Sequence, residues 1–266
     1  MAYSSVPSDP APDYIQAARE HGIRLRQSAP IRKGPPSFEL PIITHLKDKR
    51  VGLNKLEIQP STKPENLHKD AYTPYEYVSA TARQKGMDVY ETAVAAQAKA
   101  VEAKDPNPPA EPDLVIAADT IIVTRDGRIL EKPKSEQEHV RMLKHLRDTR
   151  VHKVLTAVVC LAPKADASHP GYEIAAHTEE TKVFFAQESD GLPDDVIEKY
   201  VKTREGADKA GGYAVQGIAG LFLVEKLEGC VDNVVGLPVR KTLALAEKVI
   251  FQQGEEEVQW SDEEEE

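Results

Sequence analysis

The chain has 266 residues, a mass of 29.4 kDa and a hydrophobic fraction of 40%, enough for one large α/β core or two small ones. Its formal net charge is −10, but residues 255–266 carry eight acidic side chains and no lysine or arginine, so the rest sums to −2. Such a nearly neutral body lacks the positive field that attracts polymeric nucleic acid, and we expect no DNA or RNA partner. The sequence has no apolar run of about 18 residues and no secretory signal, so we expect a cytoplasmic protein without a membrane partner.

The predicted elements alternate between β-branched runs and amphipathic stretches. Residues 1–37 contain six prolines and little apolar periodicity, which predicts a flexible N-terminal extension. A folded domain is expected over 38–252, followed by an acidic, disordered tail over 253–266. Within the domain the sequence predicts strands over 56–59, 114–123, 151–163 and 172–187, and helices over 74–103, 135–147, 193–202 and 238–251. This alternation is typical of an α/β fold with a mixed sheet.

One acidic residue interrupts an apolar strand. Asp119 lies within the run LVIAADTIIV at 114–123, where it is the only charged residue. Burying an ionised carboxylate without partners is costly, so such a residue usually contacts a cation, a metal or a helix N-terminus. The pattern alone is equally compatible with a structural and a functional role.

Two lysines lie in segments that could approach Asp119. A turn at Asp126-Gly127 predicts a hairpin whose second strand, GRILEKP, brings Lys132 back toward the same end of the sheet. The pattern alone nevertheless favours a solvated surface lysine. Residues 208–217, DKAGGYAVQG, combine Lys209 with three glycines, which let backbone N–H groups approach phosphate oxygens. A glycine-rich turn by itself is weak evidence for a phosphate site.

Other motifs for phosphate binding or nucleophilic catalysis are absent from the sequence. It contains no G-x-x-x-x-G-K-[ST] loop, no G-x-G-x-x-G fingerprint after a strand, no nucleophile elbow, and no zinc-ligand spacing among its eight histidines. With these motifs absent, the sequence favours a reaction that a lone aspartate, several lysines and a divalent metal can catalyse.

Taken in chain order, six motifs resemble those of the Maf-like nucleoside triphosphate pyrophosphatases. They are PSTKPE (60–65), TPYEYVSATARQK (73–85), VIAADTIIV (115–123), ILEKP (129–133), DKAGGYAVQG (208–217) and NVVGLP (233–238). The resemblance covers about residues 38–250 and implies an elongated, two-lobed α/β fold with the nucleotide in the cleft between the lobes. It also implies hydrolysis of dTTP, UTP or modified pyrimidine triphosphates to the monophosphate and pyrophosphate.

The same resemblance implies a role for each matching residue. Asp119 would be the proton acceptor that activates water, and Glu65 and Asp119 would hold a divalent metal, Mg²⁺. Lys85, Lys132 and Lys209 would face the triphosphate. Thr120 and Gln216 would help to select the base. The full substrate-binding set is Glu65, Lys85, Thr120, Lys132, Lys209 and Gln216. Relatives of this kind are often dimers, so a homodimer is expected.

The sequence departs from the family pattern near the start of the domain. The family's first strand is followed by an S-x-S-P-R-R turn and a helix that bind the phosphates, and this chain has no such motif. About fifteen residues are missing, with the junction near Val51–Gly52, so the first strand and helix are predicted to be truncated. Losing two arginines and a helix N-terminus would lower turnover by orders of magnitude.

Two explanations and two functions therefore stay open. The chain is either a splice or gene-model variant of an active enzyme, or a catalytically weak relative. The alternative function, from a different class, is a non-catalytic nucleotide-binding or interaction protein with the same fold.

Overall fold

The computed structural model describes residues 25–28, 56–63, 67–164, 166 and 171–252. The predicted acidic tail and Glu65 lie outside these residues, as does most of the predicted N-terminal extension. No helix in this part of the chain has the length and apolar character needed to cross a membrane.

A seven-stranded mixed sheet forms the centre of the molecule. Its strands lie in the order β2 (Leu56–Ile58), β1 (Leu25–Ser28), β3 (Leu114–Val123), β5 (Val151–Pro163), β6 (Tyr172–Phe185) and β7 (Val224–Glu228), and β4 (Ile129–Leu130) pairs with β3. β1 runs parallel to both β2 and β3, whereas β3–β4, β3–β5, β5–β6 and β6–β7 are antiparallel. The predicted mixed sheet is confirmed.

Helices cover both faces of this sheet. They are α1 (Pro74–Glu102), α2 (Glu136–Thr149), α3 (Asp194–Thr203), α4 (Ile218–Phe222), α5 (Val231–Val235) and α6 (Val239–Phe251). On one face α1 packs against β3 and β5. The opposite face carries two clusters, one beneath α2 and α3 around Phe185 and one beneath α6. The long predicted helices and strands are therefore confirmed, and the α/β class with them.

Strand β3 divides its side chains between these two faces. Val115, Ile121 and Val123 pack with α1, whereas Ile116 and Ile122 belong to the clusters on the opposite face. This is the alternation that a pleated strand requires. As a consequence, Asp119 lies on the α1 face of the sheet and its neighbour Thr120 lies on the other face.

Helix α1 begins at a reciprocal cap. The Glu76 amide donates to Thr73 Oγ1 at 3.3 Å and the Thr73 amide donates to Glu76 Oε2 at 2.8 Å, with Pro74 at the first helical position. A capping box with proline at this position fixes where a helix starts. The motif TPYE therefore sets the register in which the rest of α1, including Lys85, meets the sheet.

One predicted boundary is wrong. Residues Leu25–Ser28 lie within the predicted flexible extension, but in the structure they form β1, between β2 and β3. The predicted junction of the missing segment, near Val51–Gly52, lies outside the described residues, and the strand that pairs with β3 on this edge comes from Leu25–Ser28. The segment LRQS has no alternation of apolar residues. It forms a strand because it pairs with β2 and β3, and not because of its own composition. The short elements α4, β7 and α5 were also not predicted.

Candidate active site

The described strands leave one stretch of β3 open. β5 occupies one edge of β3 throughout residues 115–123. On the other edge β1 pairs as far as Ala117, and β4 pairs only with Ile122 and Val123. The intervening residues 118–121 therefore lack a strand partner on that edge among the described residues, just beyond the carboxyl end of a parallel strand. Ligands in open α/β sheets bind in such crevices.

Asp119 lies in this open stretch and pairs with Lys85. The Lys85 Nζ donates to Asp119 Oδ1 at 2.6 Å, and the two side chains are only 13% and 10% exposed. A charge-assisted hydrogen bond in a site partly shielded from water is stronger than one on the surface. The structure thus brings together the lone acid of β3 and the lysine of the α1 motif.

A close approach of α1 to the sheet makes this contact feasible. Gly86 follows Lys85, and a Cβ atom at Gly86 would lie 2.7 Å from Leu161 Cδ1 and 3.3 Å from Ala117 Cβ. Ala117 lies two residues before Asp119 on the same face of β3. Gly86 therefore lets the backbone of α1 lie close to the sheet, next to Lys85, whose side chain reaches the Asp119 carboxylate.

Lys132 and Lys209 lie in two segments that are hydrogen-bonded to each other. β4 runs antiparallel to β3 with Leu130 opposite Ile122, so the residues after it continue toward Asp119. The Gly211 amide donates to the carbonyl of Glu131, the residue before Lys132, at 3.1 Å. Lys132 is exposed, and Lys209 contacts Asp208 at 3.1 Å. The fold therefore places two further lysines near the open stretch, although no direct contact joins them to Asp119.

The acid beside Lys132 was missed by the sequence reasoning. Glu131 accepts a hydrogen bond from the Tyr77 hydroxyl at 2.7 Å and pairs with Lys69 Nζ at 2.8 Å. Burial acts to raise the pKa of this carboxyl, but the hydrogen bonds from Lys69 and Tyr77 outweigh it and lower the pKa overall. Glu131 thereby holds the Lys132 segment against α1. Only its place in the ILEKP motif marked it in the sequence.

The glycines of DKAGGYAVQG pack against the core. Gly211 and Gly212 are buried and have φ values of +73° and +78°, in the left-handed region that favours glycine. A Cβ atom at Gly211 would lie 2.6 Å from Ile122, and one at Gly212 would lie 2.5 Å from the ring of His139. These contacts and the backbone geometry account for both glycines. They give no independent support to the interpretation of this turn as a phosphate cradle.

Thr120 begins a buried polar network on the opposite face of the sheet. Its Oγ1 lies 2.9 Å from Thr156 Oγ1, and Thr156 Oγ1 donates to the Asn233 carbonyl oxygen at 2.8 Å. Thr156 and Asn233 are both fully buried. The sequence predicted Thr120 as a site residue but missed Thr156 and Asn233, which lie 36 and 113 residues away along the chain.

A second unpredicted residue anchors the PSTKPE motif. Asp88 lies on α1 three residues after Lys85, and its carboxylate accepts hydrogen bonds from Ser61 Oγ at 2.8 Å and from the Thr62 amide at 2.6 Å. Burial acts to raise the pKa of Asp88, but these hydrogen bonds outweigh it and lower the pKa overall. The motif is therefore held to the same helix that carries Lys85. An acid in the apolar stretch GMDVY was the signal available in the sequence.

The other predicted site residues are less informative. Gln216 is exposed and lies at the N-terminal approach to α4, and Glu65 is outside the described residues. The described residues contain no group of three or more His, Cys, Asp or Glu side chains arranged to hold a metal. Mg²⁺ in nucleotide sites commonly uses one or two carboxylates, with waters and substrate phosphates as the other ligands. The single carboxylate of Asp119 is compatible with a metal bound in that way.

Comparison with known proteins agrees with the motifs. The family model described as "Maf-like protein" matches residues 46–249. A dTTP/UTP pyrophosphatase of Schizosaccharomyces pombe is 38% identical over 242 residues, covering 82% of this chain and 93% of that protein. Proteins of the same name are 35% identical over 196 residues in Saccharomyces cerevisiae, with 72% and 79% covered, and 39% identical over 175 residues in Clostridium botulinum, with 66% and 78% covered.

The fission yeast alignment is longer than the part of this chain that it covers. It has 242 positions, whereas 82% of 266 residues is about 218, so about 24 positions of the relative face no residue of this chain. That difference is large enough to include the segment of about fifteen residues that the motif pattern predicts to be missing.

Because the family model spans well over half of the sequence, the chain belongs to the Maf-like protein family.

Proposed function

We propose that this protein is a nucleoside triphosphate pyrophosphatase that acts on dTTP and UTP. The observation that carries the proposal is the Asp119–Lys85 pair, 2.6 Å apart at the open stretch of β3, in a chain of the Maf-like family. The proposed reaction cleaves the bond between the α and β phosphates and releases the nucleoside monophosphate and pyrophosphate. The names of the most similar relatives support this choice of substrates.

The proposed mechanism assigns a proton acceptor and several positive charges. Lys85 holds one oxygen of the Asp119 carboxylate and so orients it. The carboxylate accepts the proton of the water that attacks the phosphoryl group, a role for which a positioned Asp is suited. Lys85, Lys132 and Lys209 offset the negative charge that spreads over the phosphates in the transition state.

A divalent metal fits this proposal. Asp119, together with Glu65, would hold Mg²⁺, which when bound supplies positive charge to the phosphates and polarises water. A chelator is therefore expected to abolish pyrophosphate release, and added Mg²⁺ to restore it. Unchanged release in excess chelator would exclude the metal.

Pyrophosphate release from UTP and dTTP is the direct test. Asp119→Asn is expected to lower the rate by about 10²–10⁴-fold, because it removes the proton acceptor. Asp126→Asn is the matched control, since Asp126 lies in the β3–β4 turn and contacts Thr124 and Arg128. Pyrophosphate release should also be measured for a repaired protein, in which an S-x-S-P-R-R turn and helix are inserted after Val51. An inert repaired protein, or a repaired Asp119→Asn variant with full activity, would show that the assignment is wrong.

The absent S-x-S-P-R-R motif favours one second candidate, a nucleotide-binding protein without turnover. This candidate predicts that calorimetry detects binding of UTP while no pyrophosphate appears over hours. It also predicts that the insertion after Val51 restores turnover without a large change in affinity for the base. Hydrolysis by the unmodified chain would exclude it.

We further propose a cytoplasmic homodimer that does not bind polymeric nucleic acid. The near-neutral charge outside the acidic C-terminal residues supports the last point. Sedimentation would report the oligomeric state, and a mobility-shift assay with DNA and RNA at low salt would report nucleic-acid binding. Microscopy of the tagged protein in cells would report the compartment.

A further inference from the structure

We propose that a cavity beside the first turn of α1 is a second binding site, which takes a small aromatic anion, an aryl group that carries a carboxylate, sulfonate or phosphate. The cavity has a volume of about 550 Å³, within the range of pockets that bind small molecules. It is separate from the open stretch of β3 and takes no part in the proposed reaction.

The position of the cavity separates it from the candidate active site. Val123 lines the cavity and lies four residues beyond Asp119 along β3, which corresponds to about 13 Å. The other lining residues come from the first turn of α1, the turn between β3 and β4, and the adjoining parts of β5, β6 and β7. These last three strands lie on the β5 side of β3, whereas the open stretch is on the opposite edge. The two places therefore differ both along β3 and across it.

The floor of the cavity is apolar. Val123 and Leu155 line it, and both belong to the core cluster that packs with α1. Val151 lies opposite Phe184 in the β5–β6 pairing, and both residues also line the cavity. Tyr75, in the first turn of α1, adds a second aromatic ring to that of Phe184. A ligand that covers these groups gains most if its body is apolar, and the two rings favour an aromatic one.

Three cations line the same cavity. They are Arg125, Lys153 and Lys182, of which Arg125 and Lys182 are exposed. Lys153 lies directly opposite Lys182 in the β5–β6 pairing, and like charges in this arrangement destabilise a sheet. Arg125 forms no hydrogen bond or ion pair within the part of the chain that the structure describes. An anion bound among these three side chains would offset their repulsion.

The acids near Lys182 are bound to other lysines. Glu180 pairs with Lys153 Nζ at 3.0 Å, and Glu228 pairs with Lys226 Nζ at 2.7 Å. Lys182 interacts with both carboxylates through charge alone, and among the described residues it forms no hydrogen bond or close ion pair. Its ammonium group can therefore donate charge-assisted hydrogen bonds to a ligand without first leaving a carboxylate.

The lining also distinguishes this ligand from a nucleotide. A pyrimidine base has hydrogen-bonding groups around its ring, and aliphatic residues such as Val123 and Leu155 would leave those groups without partners. An aryl body has no such groups to desolvate, and its anionic substituent meets the cations. The cavity should therefore bind an aryl anion in preference to UTP.

Two dyes of matching shape test whether both the apolar body and the charge are needed. The probes are anilinonaphthalene sulfonate, an aryl anion, and its uncharged parent anilinonaphthalene. Both dyes fluoresce more strongly in apolar surroundings, so each can be titrated into the full chain. The sulfonate is expected to bind at one site per chain, about tenfold more tightly than the uncharged dye. UTP with Mg²⁺ is not expected to displace it.

Lys182→Met gives the sharper prediction. Methionine keeps an unbranched apolar stem at an exposed position, so the fold should be retained. We expect the affinity for the sulfonate dye to fall about tenfold, and the affinity for the uncharged dye to change by less than about twofold. Lys182→Arg keeps the charge and should retain most of the wild-type affinity for the sulfonate.

The matched control is Lys202→Met. Lys202 is also an exposed lysine, but it lies on α3, on the opposite face of the sheet. Its removal should leave the affinities for both dyes unchanged. Equal effects of Lys182→Met and Lys202→Met would indicate a general attraction of the dye to surface lysines, and would overturn the inference. Displacement of the dye by UTP would place it in the nucleotide site, and would also overturn the inference, as would the absence of saturable binding.

Discussion

The close approach of α1 to the sheet at Gly86 can be tested by a single methyl group. In Gly86→Ala the new Cβ would lie 2.7 Å from Leu161 Cδ1, 3.3 Å from Ala117 Cβ and 3.8 Å from Val159 Cγ1. Carbon atoms attract each other best at about 3.5–4.0 Å, so the contact with Leu161 is too short by about 1 Å. Leu161 is fully buried and cannot swing into solvent.

Two opposing terms set the size of the effect. Alanine stabilises a helix interior by about 1 kcal/mol relative to glycine. Overpacking a filled core costs about 1–3 kcal/mol. The net expectation for Gly86→Ala is a loss of about 0–2 kcal/mol in the free energy of unfolding, so the single variant alone does not isolate the contact.

A double-mutant cycle with Leu161→Ala does isolate it. Leu161→Ala alone should cost about 2–5 kcal/mol, because it leaves a cavity in the core. That cavity removes the atom that the new methyl group would strike, so the double variant should be about 1 kcal/mol more stable than Leu161→Ala. The coupling energy is then about −1 to −3 kcal/mol, measured by urea unfolding of all four proteins.

The control pairs Gly86→Ala with Leu143→Ala. Leu143 is also fully buried, but it belongs to the cluster on the opposite face of the sheet. These two changes should add to within about 0.5 kcal/mol. If Gly86→Ala and Leu161→Ala are equally additive, α1 does not rest on Leu161 at Gly86, and the close approach that positions Lys85 is refuted.

Three further predictions test the site and its supports. Lys85→Met removes the cation beside a 10% exposed Asp119 and should lower the free energy of unfolding by about 2 kcal/mol and weaken UTP binding, as measured by urea unfolding and calorimetry. Lys199→Met, which breaks an exposed pair with Asp195, should change little, and equal effects would count against a special role for Lys85. Burial lowers the pKa of His152 to about 3, from about 6.5 in the unfolded chain, so between these values only the unfolded chain takes up the proton. The contribution of His152 to the free energy of unfolding should therefore fall by about 1.4 kcal/mol for each pH unit below 6.5. Urea unfolding at pH 6.5 and 5.0 measures this dependence. The free energy of unfolding should depend less on pH in His152→Phe than in the wild-type protein, whereas His68→Gln should behave like the wild type. Thr73→Ala should cost about 1 kcal/mol by removing the α1 cap, whereas Thr92→Ala at an exposed position within α1 should be neutral or stabilising; equal urea midpoints for the two would contradict the capping geometry.

The long elements could be predicted from the sequence because their signals are local. The stretch LVIAADTIIV has the β-branched composition of a strand, and residues 74–102 have a capped, proline-started helix pattern. Strand β1 could not be predicted in this way, since LRQS becomes a strand only by pairing with β2 and β3. The short elements α4, β7 and α5 lie between glycines and are similarly held by their neighbours.

For the candidate site, residue types were predictable and their partners were not. The cost of burying a lone carboxylate marked Asp119, and the motif resemblance marked Lys85, Thr120, Lys132 and Lys209. Lys85 reaches Asp119 only because α1 lies close to the sheet at Gly86. The two residues are 34 positions apart, so this distance is set by tertiary packing and not by the local sequence. Glycine in the turn at 208–217 was interpreted as freedom to approach phosphate, but Gly211 and Gly212 are required by Ile122, His139 and their own backbone angles.

The sequence by itself determined the α/β class, the family motifs and the presence of one acid in an apolar strand, because periodicity and the cost of burying charge act within a few residues. Only the tertiary structure decided that Asp119 and Thr120 face opposite sides of the sheet with different partners. It alone showed that Thr120, Thr156 and Asn233 form one directed chain of hydrogen bonds. Hydrogen-bond polarity belongs to groups brought together in space, so no spacing along the chain could have revealed it.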